Sequence, residues 1–158
     1  FNVNAWSEMP GIANSKFELF GEDGKPLKKD KVEKGDFIKI DLPGPLPFYW
    51  VKVSEVTEGP EYAQFTVQPT YDPTDQDDKT VTDHFFQDQA RSIFRIERNG
   101  RELTAMEVGI NEAINNQEAE AGEKGLINTL VSEGGWAGFQ KYQWKNLTDY
   151  LVGIRSSR

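Results

Sequence analysis

Ile93-Phe94-Arg95-Ile96-Glu97-Arg98-Asn99-Gly100-Arg101-Glu102-Leu103-Thr104-Ala105-Met106-Glu107-Val108 is the stretch whose reading decides the fold. Apolar and polar residues alternate on both sides of Asn99-Gly100. That dipeptide suits a type I′ turn, which needs positive φ at both central residues, so the stretch reads as a β-hairpin. A two-residue loop pairs Ile96 with Leu103 and Phe94 with Ala105 on one face. It also sets Glu97 against Glu102 and Arg98 against Arg101. A three-residue loop removes those clashes but puts Ile96 opposite Glu102. Like-charge pairs cost roughly 0.2–1 kcal/mol each, whereas burying an Ile or Leu contributes about 1.5–3 kcal/mol. Burial therefore selects the two-residue register with Phe94 opposite Ala105.

Working outward, strand patterns come first. Phe17 and Leu19 alternate before a turn at residues 21–26, and a charge run at 28–34 reads as a solvated loop. Ile38, Ile40 and Leu42 share a strand face. Pro43-Gly44-Pro45-Leu46-Pro47 excludes helix and central strand and reads as a stiff connection. Residues 48–56 form a strand that turns at Gly59-Pro60 and returns through 63–69, with Ala63, Phe65 and Val67 inward. Before all of these, residues 1–15 lack any period. They read as an arm that packs Trp6, Met9 and Ile12 against the domain, exchange with a neighbouring subunit being the alternative.

Past Gly109 the composition shifts to Asn, Glu, Gln and Ala. Residues 118–133 favour a helix with Leu126, Ile127, Leu130 and Val131 as its apolar stripe, ended by Gly134-Gly135. A second helix follows over 136–152, with Phe139, Tyr142, Leu147, Tyr150 and Leu151 as buried positions. Two such short helices are not stable alone and must pack on the sheet or on another protein. The expected fold is α+β: a strongly bent antiparallel sheet or small open barrel over 16–109, followed by two C-terminal helices (110–154) packed on the same core.

Composition bounds the function. The 158 residues suit one domain, and 12% aromatic content argues for a packed core. A net charge of −8 disfavours nucleic-acid backbones and anionic membranes. No apolar run reaches the roughly 20 residues that span a bilayer. With no cysteine, thiolate chemistry and disulfides are excluded. The chain begins at Phe1 without Met. A removed leader, a trimmed tag or a longer parent chain each accounts for that, and a removed signal peptide would mean export.

Three groups of residues are candidate sites. Asp72, Asp75, Asp77, Asp78 and Asp83 supply oxygens of the kind calcium takes, but without the Gly turn and closing Glu of an EF-hand, so a solvated acidic loop explains them equally well. His84, the only histidine, could work as a general acid–base with Asp83 or Asp88. No nucleophile motif accompanies it, and Asp83 reads more simply as the cap of a short turn presenting Phe85 and Phe86. Trp136, Tyr142 and Trp144 fall on more than one side of the last helix, which leaves at least one of them for an interaction surface. Asn146-Leu147-Thr148 matches a glycosylation acceptor, inside a predicted helix.

No catalytic constellation emerges. The leading expectation is a non-enzymatic protein-interaction or structural module that docks into a larger assembly or self-associates, with no cofactor, no nucleic acid and no membrane. A carbohydrate-binding module, calcium-assisted or not, would show a row of exposed coplanar rings. A small hydrolase would show a cleft joining His84 to buried carboxylates.

Overall fold

The computed structural model describes residues 1–9, 15–43, 48–79, 89–111 and 135–153, with side chains of the last segment described from residue 143. Six strands form one antiparallel sheet in sequence order: β1 (Lys16–Phe20), β2 (Phe37–Asp41), β3 (Phe48–Gly59), β4 (Tyr62–Pro69), β5 (Arg91–Asn99) and β6 (Glu102–Ile110). A 3-10 helix (Val3–Glu8) precedes them and an α-helix, α1 (Gly135–Leu151), follows. The protein is mostly β. The sheet is open, not a barrel, and β1 and β6 are its two edges. Of the two expected C-terminal helices, the second is α1. The first, over 118–133, lies outside the described residues.

One face of the sheet carries the main core. Phe17 and Leu19 on β1, Ile38 on β2, Val51 and Val53 on β3, Phe65 and Val67 on β4 and Phe94 on β5 are all buried there. Strand alternation puts these residues on one side, as the sequence pattern implies. β3 needs a correction of its own to achieve this. The register against β4 shifts between Val53 and Glu55. The extra residue, Ser54, lets both Val53 and Val56 face the core, which strict alternation would forbid.

Both chain ends close this core. Trp6 meets Phe17, Phe65 and Phe94 at ring distances of 5.4, 5.8 and 5.8 Å. Leu147 of α1 is fully buried among the same residues, with Trp144, Tyr150 and Leu151 packed beside it. The spacing of 144, 147 and 151 is one helix face. Gln143 Nε2 donates to Ser15 Oγ, both buried, and the Tyr150 hydroxyl donates to the Ala5 carbonyl at 3.4 Å. The helix therefore rests on the N-terminal arm as well as on the sheet. Residues 1–9 are thus part of the core; Ile12 lies outside the described residues.

The opposite face has a smaller cluster over β1 to β3. Phe20 meets Trp50 edge-on at 4.9 Å, and Phe37 meets Tyr71 at 5.4 Å. Over β4 and β5 this face turns polar: Arg95 stacks on Tyr62 at 4.4 Å and donates to Glu97 and Gln64.

The hairpin register differs from the expected one. Ile96 pairs with Ala105, Phe94 with Glu107 and Arg98 with Leu103, and the loop is Gly100-Arg101. Gly100 has φ +61°, and Arg101 does not take positive φ. This is the II′ pattern, with glycine at the first central position, not the I′ turn centred on Asn99-Gly100. The physical reason lies at the tip. Leu103 is 50% exposed, so no core lies there to reward its burial. The charge term then decides, and the observed register gives Glu97 the neutral Thr104 and Arg98 the neutral Leu103.

The charge run at 28–34 is a solvated loop as expected, with Lys28, Asp30, Lys31, Glu33 and Lys34 exposed, and Lys29 ties it down. Lys29 Nζ donates to Glu33 Oε2 at 2.5 Å and Asp36 Oδ1 at 3.0 Å, and Asp36 Oδ2 accepts from the Glu33 amide at 2.7 Å. Burial opposes the Lys29 charge, but these two bonds outweigh it and raise its pKa. The hydrogen bond from Lys29 in turn holds Glu33 below the ordinary carboxylate value. A lowered carboxylate pKa stabilises the fold above its unfolded value, near about 4.3, and the contribution is lost as pH falls through the folded value. A raised Lys pKa stabilises below its unfolded value, about 10.4, and is lost as pH rises through the folded one. The Lys29 knot is expected to hold across neutral pH and loosen at both extremes. An NMR titration of the Glu33 carboxyl should show a midpoint below about 4.3 that moves up in Lys29→Ala. A midpoint unchanged by that substitution contradicts the assignment.

Candidate functional site

The two sheet edges are treated unequally. β1 is sealed by side chains of the N-terminal arm. Ser7 Oγ accepts from the Phe17 amide at 2.8 Å and donates to the Phe17 carbonyl at 2.9 Å. Asn4 Oδ1 accepts from the Leu19 amide at 3.1 Å, and the Leu27 amide donates to the Leu19 carbonyl at 2.7 Å. The arm and Leu27 together supply the ladder bonds of a missing seventh strand. It also explains why the sheet stays open, since barrel closure would need this edge for β6. Removing the hydroxyl strands two backbone groups of Phe17. Ser7→Ala is expected to cost about 1–3 kcal/mol, read by urea denaturation; an unchanged midpoint would mean that the seal carries no energy.

β6 has no strand on its outer side among the described residues. Its outward groups follow from the ladder. The Arg98 amide of β5 donates to the carbonyl of Glu61, the residue before β4, so alternate β5 residues Glu97, Arg95 and Ile93 bond toward β6. Their partners Thr104, Met106 and Val108 bond inward. The amides and carbonyls of Leu103, Ala105, Glu107 and Gly109 therefore point outward from β6. Of the exposed large apolar side chains among the described residues, Leu103, Val108 and Ile110 all stand on this strand, and Phe48 on β3 is the other. Outward-pointing edge backbone beside apolar side chains is the feature that natural edges usually suppress.

The expected site residues fall elsewhere. The acidic loop bends onto itself: Asp72 Oδ1 accepts from the Thr74 amide and hydroxyl at 2.8 and 2.6 Å, and Asp75 Oδ1 accepts from the amides of Asp77 and Asp78 at 3.1 and 3.2 Å. These are side-chain-capped turns, a local use of carboxylates that needs no ion. The loop also sits tightly on the β1–β2 connection. Gly24 has φ +72°, and a Cβ there would come 2.4 Å from the Pro73 carbonyl oxygen. Among the described residues no three His, Asp or Glu side chains converge to hold a metal. Asp83, His84, Phe85 and Phe86 lie outside the described residues, as do the side chains of Trp136, Phe139 and Tyr142. Trp144 is half-buried and packs edge-on against Phe94 at 5.2 Å.

Sequence reasoning passed over β6 as a site. The signal was present: Leu103 and Ala105 lie on one face, and Met106, Val108 and Ile110 on the other. A strand apolar on both faces is either central or, at the end of a meander, unfinished. No helix among the described residues is long and apolar enough to cross a membrane. No protein-family model matches this chain, and no curated protein or solved structure matches it significantly.

Proposed function

We propose that this chain is a non-enzymatic interaction module that docks into a protein assembly by strand addition at the outer edge of β6. The inequality of the two edges carries the reading: one is sealed by dedicated side chains, while the other presents outward amides and carbonyls beside Leu103, Val108 and Ile110. An incoming strand would gain backbone hydrogen bonds from this ladder and apolar contacts from the flanking side chains. The sugar-binding alternative calls for a row of exposed rings, and Phe48 is the exposed aromatic among the described residues.

Amide exchange in dilute solution tests the reading. Leu103, Ala105 and Gly109 are expected to exchange fast, while Thr104, Met106 and Val108 exchange slowly. Slow exchange at all six positions in the dilute chain would mean that the edge is already filled, and the reading fails.

A further inference from the structure

We infer that Asn99 is a site of spontaneous covalent modification: the backbone nitrogen of Gly100 attacks its side chain, and the chain acquires an aspartyl or isoaspartyl residue there as it ages. The site does not depend on what occupies the β6 edge. Asn99-Gly100 is the only asparagine–glycine pair in the sequence. Asparagine is among the thermolabile residue types. Its loss by this route needs the following nitrogen to reach the side-chain carbonyl carbon, and a Cβ on the following residue crowds that approach. Gly100 has none.

The reacting groups lie at the surface and are not tied up. Asn99, Gly100 and Arg101 are all exposed. A Cβ built on Gly100 would meet nothing within 4 Å, so the space beside the attacking nitrogen is open. Among the described residues, no acceptor holds the Gly100 amide and no partner holds the Asn99 carboxamide. The turn explains the first of these. Gly100 takes the first central position of a II′ loop, whose amide stays out of the ladder.

Backbone pairing is what restrains Asn99. Because Arg98 bonds toward β4, Asn99 and Glu102 form the last hydrogen-bonded pair of the β5–β6 ladder. In a strand conformation the Gly100 nitrogen is turned away from the Asn99 side chain, so attack waits for this pair to fray. Both residues are exposed, and Leu103 beyond them is 50% exposed, so little apolar burial opposes fraying.

Water is the only co-reactant. The Gly100 amide loses its proton to solvent base, its nitrogen bonds to Asn99 Cγ, and the Cγ–Nδ2 bond breaks with release of ammonia. Water then opens the cyclic imide. Cleavage at the Cγ–N bond leaves aspartate on an unchanged main chain. Cleavage at the original peptide carbon leaves isoaspartate, with the main chain routed through Cβ and Cγ. The first product sets a carboxylate opposite Glu102, a like-charge pair. The second adds a backbone atom to a turn whose length fixes the register. Either one weakens the end of the hairpin.

Peptide mass mapping of the freshly purified chain, followed over time at physiological temperature, tests the site. The peptide spanning residue 99 is expected to gain the mass of an amide-to-acid exchange and to separate into aspartyl and isoaspartyl forms, faster in mildly basic than in mildly acidic buffer. Urea, which releases the ladder pair, should speed the conversion. Asn99→Gln, at an exposed position, should keep the fold and remove the gain, because glutamine must close a larger ring. In the aged chain the Glu102 amide should exchange faster, with Phe65 and Val67 unchanged. If residue 99 stays intact in the folded chain while a free peptide of residues 95–104 converts in the same buffer, the hairpin protects the pair and the inference is overturned. A gain that persists in Asn99→Gln places the chemistry elsewhere and overturns it as well.

Discussion

Replacing Trp6 with alanine is expected to lower the unfolding free energy by about 3–5 kcal/mol, the range for truncating a buried aromatic ring. Trp6 is only 2% exposed, and its ring touches three phenylalanines carried by β1, β4 and β5. It reaches these strands from the 3-10 helix of the arm, so its truncation leaves a cavity between that helix and the sheet. The loss is larger than the cavity suggests in another respect. The same short helix holds Asn4 and Ser7, which seal β1, and a loosened arm gives up those bonds too. For a chain of this size each kcal/mol moves the melting temperature by about 2–4 °C. Calorimetry should therefore show a fall of about 6–20 °C. A change below about 1 kcal/mol would mean that the arm contributes little to the core.

The second large effect is expected at Leu147. It is 1% exposed and is the most deeply buried of the described α1 side chains in the main core. Leu147→Ala should cost about 2–5 kcal/mol in urea denaturation. Lys145→Ala, two residues away, is the control. Its side chain is 72% exposed and forms an i,i+4 pair with Asp149, so its loss should stay within about 0.5 kcal/mol. Equal effects at the two positions would indicate that α1 is stabilised by its own sequence and not by docking.

The parts of the fold that could be read from sequence are those where one face is buried. Phe17 with Leu19, Ile38 with Ile40, and Phe65 with Val67 alternate cleanly because the core rewards every second residue. Leu147 was legible for the same reason on a helix. The hairpin tip was not, because the argument assumed a core beneath Leu103 and none extends that far. The bulge at Ser54 was equally invisible: Glu55 and Val56 fit a regular strand until the pairing with β4 is known. Asn4 and Ser7 look like loop formers in the sequence. Their role as surrogates for a missing strand depends on Phe17 and Leu19 lying beside them. The candidate site was hidden by the same logic, since an edge is defined by what does not pair with it. Chemistry-bearing residues drew the reading toward carboxylates and aromatics, whereas the acidic loop uses Asp72 and Asp75 to hold its own turns.

Among the described residues, the N-terminal arm and α1 both finish a single core over one face of the sheet. Residue-resolved urea unfolding tests it most directly. The amides of Phe65 and Val67 in β4, of Val3 to Trp6 in the arm and of Lys145 to Leu151 in α1 are expected to disappear together at one midpoint. Loss of the arm or helix signals at lower urea, with the β4 signals unchanged, would contradict it.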